Sequence, residues 1–318
     1  MPLPAVQESY SGSVNDITLG GGARQTTVTI GGAKNVPYGG DRSVTGHRPI
    51  IAADVLDAPP GDWPPVLAEA YGDLLNDPAA WAKKAVGNFG ADLVCVKFEG
   101  IHPDKGDRGA DHAVEVTRKV LEAVGVPLIL WGCGNDEKDN EVMPKVSEAA
   151  KGEKVLLGTV TQDNYKNLTA IALADDHFLI AEAPLDINIA KQVNILVSDM
   201  GFPLERIVMF QTTGALGYGM EYAYSIQERE RLAALAGDKL MAMPVICDVG
   251  YESWRAKEAK TATDDAPEWG DAGKRGPLWE AVTAVSLLQS GVDIIRMRHP
   301  AAMATVKAYL DNLWGETS

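Results

Sequence analysis

The chain has 318 residues, of which 46% are hydrophobic and 23% are charged, and its formal net charge is −15 at pH 7. This size and composition predict one large α/β domain or two ordinary ones, with a substantial core. The negative charge argues against nucleic acid as a partner, because a polyphosphate backbone is bound by clustered Lys and Arg. No membrane-length apolar run or secretory leader is visible, so we expect a cytoplasmic protein without a membrane partner.

The first 48 residues differ in pattern from the rest of the chain. The stretch VNDITLGGGARQTTVTIGG alternates threonine with Val28 and Ile30 beyond a glycine-rich turn, which is typical of a β-hairpin. We predict an N-terminal extension over residues 1–48 whose hairpin closes the bottom of a barrel formed by residues 49–318.

Eight short, almost continuously apolar runs follow, as expected for parallel strands that are buried on both faces. Helical patterns separate these runs, so strand and helix alternate along the chain. The sequence therefore predicts an α/β fold, a (β/α)8 TIM barrel with an N-terminal β-hairpin extension. A doubly wound sheet is the alternative, but no GxGxxG follows the first strand. The predicted strands cover residues 49–55, 91–98, 127–132, 154–160, 177–183, 205–211, 244–250 and 292–298.

Several helix starts are visible in the sequence. Asp77 precedes a proline and is predicted to cap a helix. Ser225 and Glu228 have the spacing of a capping box, which predicts a helix start at Ser225. Pro277 is predicted to open a further helix, because proline is tolerated at the first helical position.

In a TIM barrel the functional residues lie at the C-terminal ends of the strands. The loop after the seventh strand, residues 251–276, is long and polar, which is typical of a functional or mobile segment. No GxSxG or HExxH motif occurs, and the histidines lack metal-ligand spacing, so we predict no metal site. The polar residues at the strand ends are Asp54, Glu99, Asn135, Asp136, Thr159, Thr161, Glu182, Gln211, Thr212, Thr213, Asp248, Arg296, Arg298 and His299.

The three cysteines, Cys95, Cys133 and Cys247, lie far apart in the chain. No CxxC occurs, so the sequence offers no local iron–sulfur or zinc site. We predict that these cysteines are small buried side chains of a protein in a reducing compartment.

The segment MFQTTGALGYGMEYAYS, residues 209–225, joins the end of a buried strand to two threonines and three glycines. It superficially resembles a glycine-rich phosphate loop, but it has no lysine and its surroundings are acidic, so we reject a phosphate site. The glycines instead favour close approach of the backbone to a broad ligand or protein face.

Several long segments carry a resemblance to one family. The stretches TVTIGGAKNVPYGGD, WGCGNDEKDNEV, APLDINIAKQVNI, FQTTGALGYGMEYAYS and VGYESWRAKE are similar to the small (delta-type) subunit of the corrinoid iron–sulfur protein. That protein belongs to the CO dehydrogenase/acetyl-CoA synthase system. The resemblance covers essentially the whole chain. It implies a barrel without its own catalytic residues, paired with a larger subunit that carries a corrinoid and a [4Fe–4S] cluster. It also implies methyl transfer from a methyltetrahydrofolate methyltransferase, by way of the corrinoid, to acetyl-CoA synthase.

Given this resemblance, we expect the chain to cover one face of a corrinoid held by its partner. Cluster-type cysteines are missing, and GADHAVEV does not match the DxHxxG stretch expected of a chain that binds a corrinoid through a lower histidine. Small, hydroxyl and amide side chains suit contacts with the propionamide arms of a corrin, and apolar surface suits the macrocycle. The predicted cofactor-binding residues are Gln211, Thr212, Thr213, Gly214, Tyr218, Asn135 and Asp248.

Two other functions are compatible with these residues. A stand-alone pterin-dependent methyltransferase needs a carboxylate that accepts two N–H groups of an aminopyrimidine ring, with polar neighbours. The candidates for that role are Asp54, Asn135, Asp136 and Asp248. A metal-dependent aldolase or lyase would instead need carboxylates that converge on Mg²⁺.

Overall fold

The computed structural model describes residues 9–37 and 46–315. In these residues the strands are β1 (Ile17–Leu19), β2 (Val28–Ile30), β3 (Ile50–Leu56), β4 (Leu93–Lys97), β5 (Leu128–Trp131), β6 (Leu156–Val160), β7 (Phe178–Ala183), β8 (Ile207–Gln211), β9 (Val245–Cys247) and β10 (Ile294–Met297). Eight of them close into a barrel in the order β10-β3-β4-β5-β6-β7-β8-β9, and each pair in it is parallel. The predicted TIM barrel is confirmed, because every one of the eight apolar runs overlaps a barrel strand.

The α-helices lie between and around these strands. They are α1 (Pro65–Glu69), α2 (Pro78–Gly87), α3 (Ala110–Ala123), α4 (Asp136–Ala149), α5 (Tyr165–Asp175), α6 (Ile187–Asp199), α7 (Met220–Leu235), α8 (Val249–Ser253), α9 (Lys257–Lys260), α10 (Ala272–Leu288) and α11 (Pro300–Trp314). Alternate strand residues divide between two cores, as the period of a strand requires. Ile129, Ile180 and Val208 fill the barrel interior, whereas Leu130 and Met209 belong to the core that includes the helices.

The N-terminal hairpin is present and packs on the barrel interior. β1 and β2 pair antiparallel with Ile17 opposite Ile30, and both side chains join the interior core. The backbone N–H groups of Gly20 and Gln25 donate to the carbonyl oxygens of Lys154 and Gly125, at 3.3 and 2.8 Å. These carbonyls lie just before β6 and β5, so the hairpin contacts the end of the barrel at which the strands begin. The division of the chain between residues 48 and 49 stays a prediction.

The predicted start of α2 is confirmed, whereas two other predicted helix starts are wrong. Asp77 caps α2, because its carboxylate accepts from the N–H groups of Ala79 and Ala80 at 3.0 and 3.1 Å. Ser225 instead lies inside α7, which begins at Met220 directly after Gly219. Gly219 adopts a φ of 89°, so the turn that ends the preceding loop starts the helix earlier than the capping-box pattern indicates.

Pro277 lies inside α10 and does not open it. The helix begins at Ala272, where the side chain of Asp271 accepts from the N–H of Gly273 at 2.8 Å. Pro277 is buried, so tertiary packing compensates for the helical hydrogen bond that its ring removes. α8, α9 and a 3₁₀ turn at Pro267–Trp269 give regular structure to much of the long loop at 251–276.

Candidate functional site

An ion-pair network occupies the centre of the barrel at the C-terminal ends of the strands. Arg296, on β10, is fully buried and donates to both carboxylate oxygens of Asp54, with Nη2–Oδ2 at 3.1 Å. Its Nη1 donates to Oδ2 of Asp248 at 3.0 Å. Asp54 lies on β3 and Asp248 directly follows β9, and β10, which carries Arg296, pairs with both of these strands. The network is thus a product of barrel closure.

Arg298 and Glu99 extend this network toward the rim. Arg298 Nε donates to Asp54 Oδ2 at 2.9 Å, and its Nη2 lies 3.4 Å from Glu99 Oε1. The other carboxylate oxygen of Glu99 accepts from Lys105 Nζ at 2.8 Å. The chain of ion pairs therefore runs from the barrel axis to the surface without a break.

Burial and charge act in opposite directions on these carboxyls. Burial acts to raise the pKa of Asp54, but Arg296 and Arg298 outweigh it, so the pKa falls below its ordinary value. For Asp248 burial dominates, and its pKa is raised in spite of Arg296. Burial acts to lower the pKa of Arg296, yet the two carboxylates raise it well above its ordinary value. Asp54 and Arg296 are therefore a charged pair.

Aromatic rings surround the two arginines. The guanidinium of Arg296 lies 4.4 Å from the ring centre of Trp131, and Trp131 meets Phe210 edge-to-face at 4.9 Å. Arg298 lies between Trp63 and Tyr251, at 5.2 and 5.1 Å from their ring centres. Cation–π contacts of this kind favour a desolvated guanidinium and hold it in one orientation.

A pocket of about 270 Å³ opens above this network. Two further residues line it: Lys97, at the end of β4, which was not predicted as a site residue, and Tyr251, the first residue of the long loop at 251–276. The signal for Lys97 was present, because a single cation ends an otherwise apolar strand. The pocket is lined by Lys97, Glu99, His102, Lys105, Trp131, Cys133, Gly134, Thr159, Glu182, Phe210, Thr212, Thr213, Asp248, Tyr251 and Glu252.

The loop after β8 forms part of this rim. Thr212 is exposed, whereas the buried hydroxyl of Thr213 accepts from the backbone N–H of Asp248 at 2.9 Å. Gly214 faces the backbone of Gly219, which a Cβ at position 214 would strike. Tyr218 keeps 59% of its surface exposed at the tip. Of the predicted cofactor-binding residues, Thr212, Thr213 and Asp248 line the pocket, and Gly214 and Tyr218 belong to the adjoining loop.

Gln211 and Asn135 lie away from the pocket lining. Gln211 is fully buried and lies beside Glu230 of α7, in the layer between barrel and helices. Asn135 caps α4, because its side-chain oxygen accepts from the N–H of Lys138 at 3.0 Å. Their predicted contacts with a cofactor stay predictions.

A buried carboxyl, Glu280, supports the network from the helix layer. It accepts from the backbone N–H of Arg298 at 2.6 Å, from that of His299 at 3.0 Å, and from Trp254 Nε1 at 2.7 Å. Burial raises the pKa of Glu280 to about 7. His299 caps α11, and burial lowers its pKa to about 4. Glu280 thus ties the start of α11 and the loop at 251–276 to the barrel.

The predicted burial of the cysteines is confirmed for Cys95 and Cys247, whereas Cys133 is partly exposed at the pocket. Burial raises the pKa of the Cys133 thiol to about 12. Within residues 9–37 and 46–315, no group of three or more His, Cys, Asp or Glu side chains is arranged to hold a metal ion. None of the helices in those ranges has the length and apolar character needed to cross a membrane.

Comparison with known proteins identifies the family. Residues 16–265 match the model of the CO dehydrogenase/acetyl-CoA synthase delta subunit. The acetyl-CoA decarbonylase/synthase complex subunit delta of Archaeoglobus fulgidus is 37% identical over 98% of this chain and 71% of its own length. The corresponding subunit of Methanopyrus kandleri is 36% identical over 93% of this chain and 74% of its own length. This chain belongs to the delta-subunit family.

Solved structures similar to this delta-family chain share its fold. Dihydropteroate synthase from Vibrio fischeri superposes with a TM-score of 0.59 at 10% identity, covering 94% of this chain and 99% of the other. The enzyme from Thermus thermophilus superposes with a TM-score of 0.56 at 15% identity, covering 95% of this chain and all of the other. At such identities the likeness concerns the barrel alone, because one fold hosts many functions.

Proposed function

We propose that this chain is the non-catalytic small subunit of a heterodimeric corrinoid iron–sulfur methyl carrier. In this proposal the large subunit holds the corrinoid and the [4Fe–4S] cluster, and the mouth of this barrel covers the corrinoid. A methyl group passes from a methyltetrahydrofolate:corrinoid methyltransferase to acetyl-CoA synthase, as in the Wood–Ljungdahl pathway. Support comes from the family, since its curated members are named as subunits of the acetyl-CoA decarbonylase/synthase complex.

The observation that carries the proposal is that the central acidic groups are already used inside the fold. Both oxygens of Asp54 accept from arginine, and Asp248 accepts from Arg296 and from the backbone N–H of Tyr251. A general base or nucleophile must reach its substrate, but these carboxylates are held by cations at the barrel axis. Such a mouth suits a rigid cover better than an active site.

The dimensions of the pocket indicate how a corrin would fit. The pocket measures about 270 Å³, and pockets for drug-sized ligands measure roughly 300–1,000 Å³. A corrin is larger than such ligands, so it would lie across the rim and not within the pocket. Thr212 and Tyr218 are exposed there and offer hydroxyl groups to amide arms. The corrinoid would supply the cobalt that carries the methyl group, and this chain would exclude water from it.

The alternative, a stand-alone pterin-dependent methyltransferase, is weakened by the same contacts. Asn135 caps a helix, and Asp136 accepts from Asn164 Nδ2 at 2.9 Å. A pterin would have to displace Arg296 to reach Asp54.

We assign the protein to the cytoplasm. Its three cysteines are free thiols, as expected in a reducing compartment.

The test is co-purification of this chain with the large subunit of the same source under anaerobic conditions. We expect a one-to-one heterodimer with the absorption of a corrinoid and an iron–sulfur cluster. Tyr218→Ala should increase corrinoid loss or slow methyl transfer, whereas the control Leu173→Ala, at an exposed position on α5, should change neither. A colourless homo-oligomer that binds methyltetrahydrofolate would overturn the proposal in favour of the alternative.

A further inference from the structure

The pocket at the barrel mouth contains an amino group and a carboxyl group, those of Lys97 and Glu182, that have no ionic partner among the described residues. Lys97 forms no ion pair with any described residue, and its Nζ donates to the carbonyl oxygen of Gly132 at 2.6 Å. Glu182 also lines the pocket and likewise forms no ion pair with the described residues. Its carboxyl group has a hydrogen bond with the side chain of Thr159. Lys97 Nζ retains further N–H donors, since an ammonium group has three.

The other acidic residues of the pocket are paired, which sets these two apart. Glu99 pairs with Lys105 and Arg298, Asp248 pairs with Arg296, and Glu252 pairs with Arg255 at 3.0 Å. Lys97 affects Glu182 electrostatically, but no ion pair joins the two side chains. A gap therefore separates a donor from an acceptor on the wall of one pocket.

The charges determine what kind of group could occupy that gap. A small anion would be repelled by the acidic residues Glu182, Glu99 and Asp248, and a cation would be repelled by Lys97. A neutral group that offers one acceptor and one donor side by side would satisfy both partners without burying a net charge. The rings of Trp131 and Phe210 border the pocket and favour a planar group.

We propose that the mouth pocket is a carboxamide-binding site. The carboxamide oxygen accepts from Lys97 Nζ, and the carboxamide N–H donates to the carboxylate of Glu182. The group has two possible sources, a propionamide arm of the corrin in the complex or a free small carboxamide. The first source rests on the proposed function, whereas the site itself does not.

The first arm of the test uses the full chain alone, with nicotinamide and its carboxylate analogue nicotinate as probes in an NMR titration. We expect saturable binding of nicotinamide and much weaker binding of nicotinate. Lys97→Met and Glu182→Gln should each weaken nicotinamide binding at least about tenfold, because each replaces a charged partner in a hydrogen bond to the carboxamide. The control Lys83→Met, at an exposed position on α2, should leave the affinity unchanged.

Absence of nicotinamide binding, or equal binding of the two probes, would overturn the carboxamide site. The comparison of nicotinamide with nicotinate uses the unmodified protein, so it tests the carboxamide site even if a variant fails to fold. Binding that neither variant weakens would place the probe elsewhere and overturn the assignment of Lys97 and Glu182.

The second arm measures corrinoid retention in the heterodimer. Faster corrinoid loss in both variants, with nicotinamide binding shown in the first arm, would identify a corrin arm as the source. Unchanged retention would assign the site to a free carboxamide. A wild-type heterodimer without corrinoid would refute the proposed function while leaving the result of the first arm intact.

Discussion

Asp54 and Arg296 form a bidentate ion pair at the barrel axis although 242 positions separate them in the chain, with Arg296 Nη2 3.1 Å from Asp54 Oδ2. Both side chains are completely buried. The ion pair links the first and last barrel strands, since Asp54 lies on β3 and Arg296 lies on β10. It also determines which polar groups at the mouth remain free for a ligand.

Breaking this pair should destabilise the protein strongly. Asp54→Asn leaves the buried Arg296 with one carboxylate, Asp248, and should lower the free energy of unfolding by about 3–5 kcal/mol at neutral pH. Urea denaturation measures the change. The control Asp264→Asn, at an exposed position, should change the free energy of unfolding by less than about 0.5 kcal/mol.

The contribution of Asp54 should also depend on pH. Because the folded-state pKa of Asp54 is lowered, its stabilisation is present above the unfolded pKa and is lost as pH falls through the folded value. Equal stability of Asp54→Asn and the parent at neutral pH would contradict the pairing.

Glu230 should make the protein less stable as pH rises. Burial raises its pKa to about 8, although the neighbouring Gln211 acts to lower it. The unfolded chain ionises near the ordinary value, so the folded state binds more protons between that value and about 8, and stability falls across this range. Glu230→Gln removes this dependence, and we expect its advantage over the parent to grow by a few kcal/mol from pH 5 to pH 8.5.

Thermal or urea denaturation at several pH values measures the effect of Glu230→Gln. Glu228→Gln is the matched control, because Glu228 is exposed on the same helix. The same pH dependence in Glu230→Gln and in the parent would show that Glu230 is ionised throughout.

The N-terminal hairpin should contribute to the stability of the barrel. Ile30 is 1% exposed within the interior core, so Ile30→Ala should cost about 2–5 kcal/mol through lost burial and a cavity. Thr29→Ala on the opposite face of β2 removes a contact with Thr18 and should cost less than about 1 kcal/mol. Unfolding in one transition for both variants is expected. A separate early transition in Ile30→Ala would instead indicate a hairpin that unfolds independently of the barrel.

The loop after β8 should not tolerate a side chain at Gly214. A Cβ there strikes the backbone of Gly219 and lies 2.9 Å from Met220 N, so the turn must open. We expect Gly214→Ala to accelerate amide hydrogen exchange in residues 212–220 by at least tenfold while the strands keep their protection. Gly87→Ala is the control, because nothing lies within 4 Å of a Cβ at that position. Unchanged exchange in the loop would refute this packing.

The sequence by itself determined the fold. Eight apolar runs predicted the eight barrel strands, because a strand buried on both faces has to be apolar along its length. It also located the polar residues at the strand ends, including Asp54, Asp248 and Arg296. Local patterns predicted helix starts less well, because Ser225 and Pro277 both lie inside helices that they were predicted to begin. A capping box or a proline indicates what a backbone segment tolerates, whereas packing of the whole helix decides where it begins.

Only the tertiary structure decided which of these polar residues can meet a ligand. Gln211 and Thr212 are adjacent in the chain, yet Gln211, the last residue of β8, is fully buried against the helix layer, and Thr212, the first residue beyond the strand, is exposed at the rim. Barrel closure pairs Asp54 with Arg296 and leaves Lys97 and Glu182 without ionic partners among the described residues. The difference between a satisfied charge and a free one depends on distances of a few ångströms between remote segments, and these are not encoded in any local pattern.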